Sequence, residues 1–96
     1  MPNSTTTNPI FLDTFSTDVT ISDFPIPIKS IVFKSDNVDD ELVLEDKNGV
    51  EVLRLSIETA NKTVSWTPAS TVYFNTLVLD VSKGKYVGNC KAFIYT

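Results

Sequence analysis

The sequence predicts an all-β domain, a compact antiparallel β-sandwich or jelly-roll-like barrel of about seven or eight strands. Short stretches rich in Val, Ile, Phe and Thr alternate with clusters of turn-forming residues, as in half-buried strands joined by tight turns. No window sustains the apolar period of a helix. A chain of 96 residues corresponds to one domain. We therefore expect a flexible N-terminal arm over residues 1–9 and a single β domain over residues 10–96.

The first clear strand is the segment DVTIS, residues 18–22. Its alternation predicts that Val19 and Ile21 face the core, whereas Thr20 and Ser22 face solvent. This is the pattern of a strand with one buried face.

Two prolines mark the start of the next strand. Pro25 and Pro27 cannot donate hydrogen bonds to a sheet, so we expect them at a strand's beginning or on an edge. Residues 28–34 can pair on both sides, and residues 35–40, SDNVDD, should then form a loop.

A hairpin is expected over residues 41–55, ELVLEDKNGVEVLRL. Asn48 and Gly49 favour a two-residue type I′ turn, because both residues tolerate positive φ. In that register the leucines pair on one face, which becomes an apolar stripe. The pairs are Leu42 with Leu55 and Leu44 with Leu53, and Ile57 continues the stripe.

The carboxylates of this hairpin are predicted to be its solvated side. The expected register places Asp46 opposite Glu51, a like-charge pair that costs up to about 1 kcal/mol, so this end should lie in water together with Glu45. A glycosidase needs two carboxylates that flank a bound sugar. We predict no cleft around this pair and therefore no catalytic role for it.

The second half of the chain continues the β pattern. Val64 and Trp66 should share one face of a strand that Pro68 ends. Residues 71–82 form either one long strand or two strands that meet near Asn75.

The last strand carries large apolar side chains on both faces, so it needs two partners. One partner is the core, and the other is an adjacent subunit or an arm. The expected faces are Tyr86, Cys90, Ala92 and Ile94 on one side and Val87, Phe93 and Tyr95 on the other.

Charge is distributed unevenly along the chain. Residues 1–58 hold eleven acidic and four basic residues, a net charge of −7, and residues 59–96 hold one acidic and four basic residues, a net charge of +3. This asymmetry either makes subunits attract each other or places acids on one sheet and lysines on another, and we favour the second interpretation. An acidic chain without an arginine cluster is not expected to bind nucleic acid.

The sequence holds no apolar run of membrane-spanning length, so no membrane partner is expected. The N-terminal residues also lack the basic and apolar regions of a secretory leader. We therefore expect a protein that is made and kept in a cytoplasm, or in a particle assembled there. The glycosylation sequons at Asn3 and Asn61 carry no weight in that setting.

No set of residues predicts catalysis, a cofactor or a metal, and we expect a protein that is not an enzyme. Histidine is absent, which removes the usual base of nucleophilic sites and the commonest zinc ligand. The single cysteine, Cys90, is expected to be a small buried hydrophobe. The three glycines are isolated and form no phosphate-binding loop.

Two groups of residues leave alternatives open. The acidic loop from Asp36 to Glu41 resembles calcium-binding loops in its oxygen ligands but not in EF-hand spacing, and we favour a solvated turn that discourages edge pairing. The aromatic residues Trp66, Tyr73 and Tyr95 could stack against a sugar. We favour a core or interface role for them.

Four segments resemble small β proteins encoded among the structural genes of tailed bacteriophages. They are DVTISDFPIPIKSIVFKS, DELVLEDKNGVEVLRLSI, VYFNTLVLDVSKGKYVG and AFIYT, which span most of the chain from Asp18 to Tyr95. The closing segment departs from the family pattern at Cys90 and Lys91, which interrupt an apolar run. The shared positions are framework positions, so no functional residue is carried over.

The resemblance implies a virion component of the head decoration or cement type, which binds the outer capsid surface, often as a homotrimer. The implied partner is the major capsid protein, and the implied location is the virion. Two alternatives remain at this stage. One is a protein of the tail or its fibres, and the other is a module that binds carbohydrate or calcium.

Overall fold

The computed structural model describes residues 8–58 and 63–96, which contain ten strands joined by loops and no helix. In chain order the strands are β1 Ile10–Leu12, β2 Val19–Ser22, β3 Ile26–Ile28, β4 Ser30–Lys34, β5 Glu41–Glu45, β6 Glu51–Ser56, β7 Thr63–Trp66, β8 Val72–Phe74, β9 Leu77–Leu79 and β10 Lys91–Tyr95.

The strands form two four-stranded sheets and one two-stranded ribbon, all with antiparallel pairing. Sheet A has the order β1-β10-β4-β7, sheet B has the order β2-β9-β5-β6, and the ribbon pairs β3 with β8. The predicted all-β sandwich is confirmed. Its ten described strands exceed the expected number, partly because the predicted strand that the prolines begin is divided by a break and residues 71–82 form two strands.

One break falls between β3 and β4 at Lys29. Pro27 lies in β3, which pairs only with β8, whereas β4 pairs with β10 on one side and β7 on the other. The segment left open at residues 71–82 forms two strands, which are separated by Asn75 and Thr76.

The core lies between the inner faces of sheets A and B. Buried residues alternate with more exposed ones along β1, β4, β9 and β10, as a sheet with one buried face requires. The predicted leucine stripe is confirmed, since Leu42 and Leu44 are fully buried, Leu55 is 7% exposed and Leu53 packs against them. Sheet A contributes Leu12, Ile31, Phe33, Ala92 and Ile94.

The hairpin between β5 and β6 has the expected leucine pairing but a different turn. Asp46 N donates to Val50 O at 2.9 Å and Gly49 N donates to Asp46 O at 3.1 Å, and Gly49 has φ +82°. This is a three-residue loop that ends in a glycine with positive φ, so the predicted two-residue turn was wrong. An irregularity after Leu44, which leaves Val52 as an extra residue on β6, restores the leucine pairing.

Two polar residues predicted to be solvated are buried. Ser22 is 6% exposed because the register of β2 shifts between Thr20 and Ser22. Glu45 is 4% exposed, and its pKa is raised by burial and by the neighbouring Asp80 carboxylate. The end of β5 is therefore less exposed to solvent than we predicted from the pairing of two carboxylates.

The domain boundary stays a prediction. β1 begins at Ile10, and the side chain of Asn8 exchanges two hydrogen bonds with the backbone of Thr96, at 3.2 and 3.3 Å. Residues 1–7, most of the predicted arm, lie outside the described residues, as does Asn61 of the second sequon.

Candidate functional site

The outer face of sheet A carries a row of apolar side chains. Along β10, Ala92 and Ile94 point into the core, so Phe93 and Tyr95 point outward. The register places Phe93 between Phe11 of β1 and Val32 of β4. We call Phe11, Val32, Phe93 and Tyr95 the apolar face.

The members of this face cover one another only in part. The rings of Phe11 and Phe93 lie 5.1 Å apart, centroid to centroid, a distance at which aromatic pairs attract. Tyr95 is 39% exposed, and the other three residues are partly exposed. The outer face of an antiparallel sheet is usually polar, so a partly exposed apolar row here suits an interaction surface.

Lysines border the apolar face. Lys34 and Lys91 are cross-strand partners on the same outer side, and the Lys34 ammonium lies 5.9 Å from the Phe93 ring centroid. No acidic residue occurs in the four strands of sheet A. A partner with carboxylates around an apolar patch would complement this surface.

Sheet B has the opposite charge. Its strands hold Glu41, Glu45 and Glu51 against Arg54, and Arg54 bridges to Glu41 at 2.7 Å and to Glu51 at 2.8 Å. The structure thus supports the interpretation that places acids on one sheet and lysines on the other.

The acidic loop between β4 and β5 is built around Asp40, which is fully buried. The predicted solvated turn was therefore wrong at this residue. The Asp40 carboxylate accepts five hydrogen bonds, an arrangement that we call the Asp40 clasp. The donors are Ser35 Oγ at 2.6 Å, Asn37 Nδ2 at 2.7 Å, Gly88 N at 2.9 Å, Val87 N at 3.0 Å and Cys90 Sγ at 3.3 Å.

The Asp40 clasp holds its carboxylate ionised. Burial opposes ionisation, but the hydrogen bonds from Ser35, Gly88, Asn37 and Val87 outweigh it and hold the pKa of Asp40 well below its usual range. The clasp thereby ties the β4–β5 loop to the segment that leads into β10.

The other carboxylates of this loop point to separate partners. Asp36 accepts from the backbone N of Asn89 at 2.9 Å and from its Nδ2 at 3.2 Å. Glu41 accepts from Arg54 and Ser56, whereas Asp39 is exposed. Across residues 8–58 and 63–96, no group of three or more His, Cys, Asp or Glu residues could hold a metal ion. The carboxylates of Asp36, Asp40 and Glu41 thus each accept hydrogen bonds from donors of the protein itself.

The inward face of the last segment agrees with prediction. Cys90 is 6% exposed, and burial raises the pKa of its thiol to about 11. Tyr86 stacks on Phe15 with 4.5 Å between ring centroids, and burial raises the pKa of its phenol to about 12. The Tyr86 hydroxyl oxygen accepts a hydrogen bond from Val43 N at 3.2 Å.

The three aromatic residues considered as a sugar platform do not share a face. Trp66 lies opposite Ile31 in the sheet A pairing and packs against the core and Phe74. Tyr95 points to the outer side of the same sheet, and Tyr73 is 69% exposed on the ribbon.

Sequence reasoning identified half of the apolar face and missed the rest. Phe93 and Tyr95 were expected on one side of the last strand, but Phe11 and Val32 were not connected with them. Both missed residues lie between two buried residues of a short strand. This alternation shows that each side chain points outward, but only the register brings them beside Phe93.

Comparison with protein-family models, curated proteins and solved structures finds no match to this chain. Within the described part of the chain there is no helix long and apolar enough to cross a membrane.

Proposed function

We propose that this chain is a non-enzymatic structural protein of a tailed-phage virion, of the head decoration or cement type. In this proposal the apolar face of sheet A docks on the major capsid protein, between capsomers, and the protein acts as a homotrimer. The observation that carries the proposal is the apolar face itself, bordered by Lys34 and Lys91. The resemblance to phage structural proteins supplies the class of partner.

The geometry suits a protein that acts by binding rather than by chemistry. Interface energy concentrates in a few aromatic residues that become buried at the centre of the contact, and two phenylalanines and a tyrosine lie together on this face. They are held on paired strands of a sandwich, so little conformational entropy is lost when they dock. A ligand that binds only the assembled shell stabilises it in proportion to RT ln(1 + [L]/Kd).

The proposal is tested by co-sedimentation with capsids that were assembled without this protein. Val32→Lys places a charge on the apolar face, and Val78→Lys makes the same change on the outer face of sheet B, where Val78 is also partly exposed. We expect Val32→Lys to lower capsid affinity at least tenfold and Val78→Lys to bind like the wild type. Thermal unfolding of both variants controls for loss of the fold.

Light scattering tests the oligomeric state. We expect a trimer in solution or on the particle. A strict monomer that also fails to bind capsids would overturn the proposal.

A further inference from the structure

Three loops line an open hollow at the end of β5 that lies away from the Asp40 clasp. They are residues 23–25 before β3, the hairpin tip at residues 46–48, and residues 75–76 between β8 and β9. The hollow has a volume of about 420 Å³, which lies within the range of small-molecule sites.

Hydrogen bonds fix each of these loops. The buried Ser22 hydroxyl donates to Phe24 O at 2.8 Å and accepts from Phe24 N at 3.4 Å. The Asp46 carboxylate accepts from Asn48 N at 2.8 Å and Val50 N at 3.0 Å. Thr76 Oγ1 accepts from Lys47 N at 2.9 Å and so joins the hairpin tip to the third loop. The hollow is therefore preorganised, which lowers the entropic cost of binding.

An aromatic ring at this hollow is mostly exposed to solvent. Phe24 is 66% exposed, although phenylalanine is among the residues most often buried. Ser22 holds its backbone on both sides, and Pro25 restricts the chain that follows. The ring is thus presented to solvent by a constrained backbone, beside a concave surface.

The polar side chains around the ring are free to bind. Within the described part of the chain, the side chains of Asp23, Lys47, Asn48 and Asn75 form no hydrogen bond or ion pair. A carboxylate accepts hydrogen bonds, an ammonium group donates them, and the two amides do both. Together with Asp46 the lining carries two negative charges and one positive charge, so a strongly charged ligand is not favoured.

We propose that this hollow binds the ring of a neutral saccharide. A pyranose offers an apolar C–H face, which can lie on the Phe24 ring, and hydroxyl groups, which both donate and accept hydrogen bonds. The lining matches this combination, with one exposed aromatic face and adjacent donors and acceptors of small net charge. The site lies on three loops outside sheet A and does not depend on the proposed capsid function.

The test uses the full-length protein labelled with ¹⁵N, titrated with galactose, glucose, mannose and N-acetylglucosamine to about 50 mM, since single-ring ligands bind weakly. We expect at least one sugar to shift the backbone amides of residues 23–24, 46–48 and 75–76. Phe24→Ala should weaken binding about tenfold or more. Tyr73→Ala is the matched control, because Tyr73 is 69% exposed on the ribbon and does not line the hollow.

Three outcomes would overturn the proposal. In the first, none of the four sugars shifts these amides. In the second, Phe24→Ala and Tyr73→Ala weaken binding equally. In the third, Phe24→Ala leaves sugar binding unchanged but alters the sedimentation of the protein, which would identify Phe24 as a protein contact. Asn75→Ala is a second test of the lining. It should also weaken sugar binding, because it removes a side-chain amide from the hollow. Asn75 is exposed, so its replacement leaves the core intact.

Discussion

Replacing Asp40 tests whether the buried carboxylate stabilises this fold as its hydrogen bonds imply. Asp40→Ala removes the acceptor of five donors, two of which are the backbone N–H groups of Val87 and Gly88. A buried donor left without a partner costs about 1–3 kcal/mol, so the two N–H groups alone account for about 2–6 kcal/mol. Some donors will reach water, so we expect a loss of about 3–5 kcal/mol.

Asp40→Asn removes the negative charge but keeps nearly the same side-chain shape. An asparagine can place its oxygen where Ser35, Val87 and Gly88 donate, but its amide nitrogen then faces the Asn37 amide group. We expect this variant to lose about 1–2 kcal/mol, because charge-assisted hydrogen bonds become neutral ones. A domain of 96 residues has a total stability of about 5–14 kcal/mol, so both losses are measurable by urea unfolding.

The pH dependence gives the sign of the charge contribution. The folded pKa of Asp40 is depressed, whereas the unfolded value is about 3.9. Its stabilisation is therefore fully present above the unfolded pKa and is lost as the pH falls below about 4. The difference in free energy of unfolding between the wild type and Asp40→Asn should therefore shrink from pH 5 to pH 2. Glu45, whose pKa is raised, is present in both proteins, so its titration cancels in this difference. The account would be refuted if Asp40→Ala were as stable as the wild type at pH 7. It would also be refuted if the stability difference between the wild type and Asp40→Asn did not change with pH.

Three further predictions concern the turn, the core and the thiol. Gly49→Ala should lower the free energy of urea unfolding by about 1 kcal/mol, because the residue has φ +82°; an added Cβ would meet no other atom, so the backbone conformation is the only cost. Gly49→Asn should cost less, because asparagine tolerates positive φ better. Equal costs would contradict the assigned conformation. Phe33→Ala, in the core at 0% exposure, should cost about 3–5 kcal/mol, clearly more than Phe93→Ala on the outer face, and the reverse order would show that the faces of sheet A are misassigned. Alkylation of Cys90 at pH 8 should be about a hundredfold slower in the folded than in the unfolded protein, because burial raises its pKa to about 11; a rate near that of the unfolded chain would mean that the thiol is accessible.

Local patterns predicted the parts of this fold that depend on alternation. The leucine pairing of the hairpin followed from the need to keep Leu42, Leu44, Leu53 and Leu55 on one face, and the structure satisfies that need by a different route. A three-residue loop alone would have shifted the pairing, and the extra residue Val52 corrects it. The demand for a continuous core was therefore a better guide than the turn dipeptide.

The features that sequence could not predict depend on contacts between distant segments. Asp40 appears in the sequence as one of several acids in a polar loop, and its burial follows from Val87 and Gly88, which are 47 and 48 residues away along the chain. The apolar face likewise depends on β1 and β4 lying on either side of β10. Alternation indicates which way a side chain points, but only the strand order shows which side chains become neighbours.

The most direct test of the proposed function is cryo-electron microscopy of the particle that carries this protein. We expect trimeric density on the outer capsid surface, with sheet A turned toward the major capsid protein and Phe11, Val32, Phe93 and Tyr95 in the contact. Density on the tail, or a decoration in which sheet A faces solvent and sheet B contacts the shell, would contradict the account.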